Sequence, residues 1–205
     1  MSNDWGLDED KFYSLEETRT LIETAKKLRL SKRFEAIRNW FLIEFDLNTG
    51  LRVEELADLK HGDLYVSLGK SHVEVRAGKG NKRRIVMISE RLRHSCEYYC
   101  NQKQTRGLSV EKNSHVFTKR NGQSLTTRAL QKSFTQCARL AGLCETNIHR
   151  LRHTYATYLA ETKVPLRFVQ KQLGHSSIKT TEQYMGVSRE HIKLSLNKLH
   201  NLFGK

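Results

Sequence analysis

The sequence has a single proline among 205 residues, and its four cysteines form no Cys-x-x-Cys pair. The first scarcity leaves no Pro-rich linker, and no repeat or low-complexity stretch divides the chain. The second removes the paired-thiol spacing of zinc ribbons and redox motifs. Cys96 and Cys100 lie one helical turn apart and read as packing thiols, reduced in an intracellular chain. No apolar run approaches the roughly 18 residues of a membrane span. The start, Met1-Ser-Asn-Asp-Trp-Gly, lacks the basic and apolar regions of a signal peptide. The expectation is therefore a cytoplasmic protein with no membrane partner. Acidic residues are also in deficit: 22 Asp+Glu stand against 36 Lys+Arg, giving +14 and a pI near 9.8. Such a surplus points to a polyanion. Nucleic acid fits best, because each neutralised phosphate releases counterions and adds affinity. A membrane surface would call for a basic amphipathic helix or a lipidation signal, and the sequence offers neither.

What is present is an ordinary soluble composition, 38% hydrophobic and 28% charged. A chain of this length buries roughly 70% of its unfolded surface and needs neither disulfide nor metal to fold. Residues 1–12 are polar and acidic and read as a flexible tail, leaving residues 13–205 as one domain. Ser14 followed by Glu17 is a capping box that opens a helix over 15–29. Phe34, Ile37, Phe41 and Phe45 recur at turn spacing and predict a second helix over 32–48, closed by Gly50. A short helix from Val53 to Leu59 follows. Leu64–Leu68, His72–Ala77 and Arg84–Ile88 read as strands joined by Gly69-Lys70 and Gly78-Lys-Gly-Asn81. Helices are then expected over 89–104, 126–141, 149–161, 166–173, 177–185 and 189–202, with Pro165 at a helix start. The fold class is mainly α with a small antiparallel β-sheet (α+β).

Four stretches could carry chemistry. In Thr49-Gly-Leu-Arg52-Val-Glu-Glu55, a cation sits at a helix start, where the helix dipole favours an anion. Together with free N–H groups it would make a phosphate seat. Gly78-Lys79-Gly80-Asn81-Lys82-Arg83-Arg84 puts cations on a hairpin tip that can approach a backbone closely. His149-Arg150-Leu-Arg152-His153 places His149, Arg152 and His153 on one helix face. Zinc is disfavoured there, because the Glu of a His-Glu-x-x-His helix is missing and the flanking arginines repel a dication. Finally, Leu173-Gly174-His175 precedes Tyr184 by nine residues. Each stretch alone also reads as ordinary surface or core.

Together, in this order, the four stretches resemble the signature of the tyrosine recombinases, the family of phage integrases and chromosome-dimer resolvases. The similarity runs from about Phe12 to the end of the chain. It implies the tyrosine recombinase catalytic-domain fold and a site-specific recombinase that cuts and rejoins DNA through a 3′-phosphotyrosyl intermediate, without metal, ATP or other cofactor. By the same resemblance Arg52 and Arg152 clamp the scissile phosphate and Lys79 is the general acid. His149 and His175 complete the site, and Tyr184 is the nucleophile. Glu55 orients the first arginine and His153 supports the site. Lys82, Arg83, Arg84 and Arg150 are expected DNA contacts. The implied partners are double-stranded DNA and further copies of the chain, as a tetramer when two sites are paired. The C-terminal helix, 188–203, is expected by the same resemblance to dock on a neighbouring subunit, with docking on its own chain as the alternative. Many family members carry an N-terminal core-binding domain, for which this chain has no room. Two rival readings are a type IB topoisomerase-like relaxing enzyme and a non-catalytic DNA-binding regulator. The Leu-Gly-His to Tyr spacing favours a recombinase over the first, and the filled active-site positions argue against the second.

Overall fold

Helix α2 (Phe34–Thr49) organises the molecule. Its sequence offers apolar side chains on more than one face, and in the computed structural model it is buried along most of its length. A helix apolar on several sides needs neighbours on several sides. Here α1 (Leu15–Arg29), α4 (Glu90–Gln104), α5 (Thr127–Leu140) and α6 (His149–Glu161) all pack against it. The structure describes residues 11–67, 71–76, 83–144, 146–162, 164–174 and 189–203. Aromatic rings fill the junction with α4. Phe41 stacks on Tyr99 with centroids 4.3 Å apart, and Phe45 and Phe117 close around them. The Tyr99 hydroxyl donates to Val116 O at 3.2 Å, so its one polar atom is satisfied inside the core.

The punctuation follows the sequence closely. Ser14 and Glu17 form the reciprocal capping box of α1. Gly50 ends α2 in the left-handed conformation, φ +58°. The short helix α3 spans Val53–Asp58. After it come three antiparallel strands in the order β1 (Leu64–Tyr65), β2 (His72–Val75), β3 (Arg84–Met87). Val73 faces Val86 across the ladder and both are fully buried, while Ile85 points outward. The strands are shorter than their apolar runs suggested. Both hairpin turns, at Gly69-Lys70 and Gly78–Asn81, lie outside the described residues, as does the helix expected over 177–185.

Helix α7 (Leu166–Leu173) begins after Pro165 and ends at Gly174, φ +66°. It lies along β3, the edge of the sheet, and against α6. The last helix, α8 (Arg189–Phe203), lies in this single chain against α1, α4 and α6. Leu196, Leu199 and Phe203 are buried there, Phe203 meets Tyr158 edge-on, and Arg19 Nε donates to Leu202 O at 3.3 Å. His200 is also covered, its ring within 2.8 Å of Asn48 Oδ1 and 3.3 Å of Glu44 Oε1. An apolar stripe needs a surface to cover it, and the groove of the same chain supplies one.

Candidate active site

The site starts at the turn between α2 and α3. Gly50 takes a left-handed conformation there, and its Cα is hemmed in. A Cβ at this position would stand 2.5 Å from Tyr155 Cδ1 and 3.1 Å from Leu173 Cδ2. Only glycine allows both the turn and the contact. The turn delivers Arg52 to the N-cap of α3. Its backbone N–H donates to Glu55 Oε2 at 2.8 Å, and its Nη1 donates to Glu55 Oε1 at 3.1 Å. Glu55 thus solves the problem of a cation at a helix start by supplying the anion itself.

Glu55 also receives a second arginine. Arg84, the first residue of β3, grips both carboxylate oxygens, Nη1 to Oε1 at 2.6 Å and Nη2 to Oε2 at 2.7 Å. The Glu55 and Arg84 side chains are only 3% and 8% exposed, whereas Arg52 keeps 26% of its side chain open. Arg84 Nε donates to Gln172 O at 3.1 Å.

A third arginine arrives on α6. Arg152 is buried, and its guanidinium donates through Nη1 to Gly50 O and through Nη2 to Leu173 O at 2.7 Å. A guanidinium has five N–H donors, and these carbonyls engage two of them. The tips of α2 and α7 therefore fix its plane.

The electrostatics set the character of the place. Burial, with Arg52 and Arg84 close by, lowers the Arg152 guanidinium to about 10, so it stays cationic at neutral pH. Burial works against ionisation of Glu55, but the hydrogen bonds from Arg84 and from the Arg52 N–H outweigh it and hold the carboxyl below its usual range. Below them lies Asp46, which is 1% exposed, with Oδ1 lacking a hydrogen-bond partner among the described residues. Burial pushes its carboxyl well up, against the attraction of Arg152 and with the repulsion of Glu55. Three arginines therefore outnumber the two carboxylates beside them, Glu55 and Asp46, so positive charge is in excess. Such a cluster is built to receive an anion.

The remaining expected site residues divide into three groups. His149, the exposed first residue of α6, anchors its N–H on Asn147 Oδ1 at 3.0 Å. His153 lies one turn on and half-buried; burial, then Arg152, His149 and Lys11, lower its imidazole. Arg83 is exposed, 3.6 Å from Glu74. Two expected DNA contacts also make contacts within the protein. Arg84 is the buried partner of Glu55. Arg150 donates to Phe12 O at 2.8 Å, with its guanidinium 4.5 Å from the Tyr13 ring centroid. Phe12 itself, the last residue of the expected tail, packs edge-on against Tyr158. Lys79, Lys82, His175 and Tyr184 lie outside the described residues. Among the described residues no three histidine, cysteine or acidic side chains gather as a metal set, and no helix is long and apolar enough to cross a membrane.

Two contributors escaped the sequence reading. Asp46 belongs to none of the four stretches, yet it is buried within reach of Arg152 and Glu55. Gln172 carries the carbonyl that Arg84 uses. The only trace of it in the sequence is position: Phe168, Val169, Gln172 and Leu173 share one face of α7, and all four are buried. A polar residue on an apolar stripe is the signal that could have found it.

Comparison with known proteins shows the family and the fold. Residues 11–191 match the Phage integrase family. The tyrosine recombinase XerD of Oceanobacillus iheyensis is 33% identical over 191 residues, covering 91% of this chain and 61% of that protein. XerA of Pyrococcus furiosus is 31% identical over 195 residues, covering 92% and 63%. The chain spans about six-tenths of the length of these curated relatives. Among solved structures, a XerA recombinase superposes with a TM-score of 0.68 at 27% identity, covering 91% of this chain and 64% of that one. A XerH site-specific recombinase, bound to its difH substrate in a pre-cleavage complex, gives 0.67 at 25%, covering 95% and 50%.

Proposed function

The chain belongs to the phage integrase family of tyrosine recombinases, and from that premise we propose that it is a site-specific DNA recombinase whose arginine cluster seats the scissile phosphate. The observation that carries this reading is the cluster itself. Arg52, at the N-cap of α3, and Arg152, on α6, lie close enough to repel each other, are held by Glu55 and by Gly50 O and Leu173 O respectively, and stand in an excess of positive charge.

The chemistry follows from what such a seat does. A phosphodiester repels nucleophiles, and charge gathers on its non-bridging oxygens as it is attacked. Fixed donors aimed at those oxygens lower the barrier, each by on the order of 3 kcal/mol. Tyr184 attacks phosphorus, forming a 3′-phosphotyrosyl ester and breaking the bond to the 5′ oxygen. A free phenol titrates near 10, so a neighbour must take its proton, and His149 fills that role. Lys79 gives a proton to the departing 5′ oxygen, and His175 completes the phosphate contacts. The ester keeps the energy of the broken bond, so religation needs neither metal nor ATP. Lys82 and Arg83 contact the flanking backbone. Two sites are paired by a tetramer of the protein, in the cytoplasm of the cell or host.

A two-site plasmid assay tests the function. A supercoiled plasmid carrying two copies of the DNA that flanks the protein's own gene should yield recombinant products. Relaxed topoisomers alone would favour topoisomerase-like action. Binding without any strand breakage would favour a DNA-binding regulator.

A further inference from the structure

The C-terminus of α7 does more than end a helix. The last carbonyls of a helix have no partner within it, and they attract cations. Here two consecutive ones are taken by the arginine cluster, Gln172 O by Arg84 and Leu173 O by Arg152. The Gln172 side chain, 1% exposed, fixes that helix end in place. Its Oε1 accepts from Met87 N–H at 2.9 Å and its Nε2 donates to Met87 O at 3.1 Å. Its Nε2 also lies 3.3 Å from the Tyr155 hydroxyl of α6. The amide thus adds one rung to the free edge of β3, as a further strand would, and ties sheet, α7 and α6 at one point. Gly174, next along the chain, leaves no room for a Cβ beside Arg84, whose Cδ would be 2.8 Å away.

We infer that Gln172 is a positioning residue for the phosphate seat: its side-chain amide locks the end of α7 to β3, so that the carbonyls of residues 172 and 173 hold Arg84 and Arg152 in register. Through the bidentate Arg84–Glu55 pair the same lock reaches Arg52. The inference rests on the reading of the arginines as a phosphate seat. The chemistry demands an amide. Methionine matches the size but offers neither donor nor acceptor for the edge, and glutamate keeps the acceptor but loses the donor.

The test compares Gln172→Met with the unchanged protein in single-turnover cleavage of nicked duplexes. One duplex carries the ordinary scissile phosphate and the other a methylphosphonate, which has no charge for arginines to neutralise. With the phosphate, Gln172→Met should cleave on the order of a hundredfold more slowly, as expected for misplaced catalytic groups, while DNA affinity changes little. With the methylphosphonate the two proteins should approach equal rates. An equal loss on both substrates would reduce Gln172 to a general structural part, and no loss on the phosphate would overturn the inference outright. Gln172→Glu serves as the second variant should the methionine form fail to fold. Independently of activity, the Arg84 Nε–H resonance should exchange slowly in the unchanged protein and rapidly in the variant. Continued protection in the variant would overturn the lock. If the unchanged protein forms no covalent adduct on either duplex, the recombinase reading is what fails, and the exchange measurement alone decides the role of Gln172.

Discussion

Replacing Glu55 by glutamine removes the charge on which the arginine cluster is assembled. Four donors converge on the two Glu55 oxygens: the Arg52 N–H, Arg52 Nη1, and both terminal nitrogens of Arg84. Glutamine keeps one oxygen and turns an NH2 group towards the donors left over. Removing one partner of a buried ion pair typically costs about 3–5 kcal/mol. The lower end applies here, because Arg84 retains its bond to Gln172 O and Arg52 can reach water. At about 2–4 °C per kcal/mol for a domain of this size, the melting temperature should fall by about 6–12 °C. Calorimetry or circular dichroism at pH 7 measures it, paired with urea denaturation. The direction with pH is fixed as well. The Glu55 carboxyl is held low in the folded state, so its stabilisation is present above the unfolded value of about 4.3 and fades as pH falls through the folded one. The gap between the two proteins should therefore close only in acid. Sulfate should narrow it at pH 7, since an added anion meets the extra unbalanced charge. A melting temperature within about 2 °C of the unchanged protein would refute the claim that Glu55 assembles the cluster.

Gly50→Ala combines a left-handed backbone with a Cβ 2.5 Å from Tyr155 Cδ1, so it should lower stability by about 2 kcal/mol or more, read from the urea midpoint. Leu199→Ala opens a cavity under α8, where Leu199 is fully buried. If the helix covers its own chain, the dilute monomer should lose about 2–5 kcal/mol, whereas an unaffected monomer would mean that α8 belongs elsewhere. His61 is boxed in by Lys103 Nζ at 2.9 Å and the Cys100 thiol at 3.5 Å, and burial, then Lys103, depress its imidazole to about 3. A depressed base binds fewer protons folded than unfolded, so it contributes a stability that is lost as pH falls from 6.5 towards 3. His61→Asn should flatten the stability profile between about pH 6.5 and 4.5, a window above that of the carboxylates.

The sequence was most legible where a local rule acts alone. Ser14 with Glu17, Gly50 and Pro165 each announce a helix boundary through backbone chemistry, and α1 begins, α2 ends and α7 begins where those residues place them. The pairing of Arg52 with Glu55 was legible through the family resemblance, and a spacing of three is one that a helix start can close. The other half of the site was not, because it depends on contacts far apart in the chain. Arg84 meets Glu55 across 29 positions and Gln172 across 88, and Arg150 meets Phe12 across 138. Nothing in the run Lys82-Arg83-Arg84 says that the third cation turns inward while the second stays outside. Asp46 failed for a related reason: α2 is buried on nearly every side, so no periodicity distinguishes its inner face. The placement of α8 shows the same gap, since an apolar stripe declares that it will be covered without declaring by which copy.

As a recombinase, the protein must present a DNA phosphate to Tyr184 through its arginine cluster. The most direct test of this is to incubate the protein with nicked duplexes from the flanks of its own gene, so that the cut piece escapes, and to recover a protein–DNA adduct in denaturant. After nuclease digestion, mass spectrometry of the peptides should find a 3′-nucleotide on Tyr184, and Tyr184→Phe should give no adduct. An adduct that persists in Tyr184→Phe, or that maps to another residue, would contradict the account.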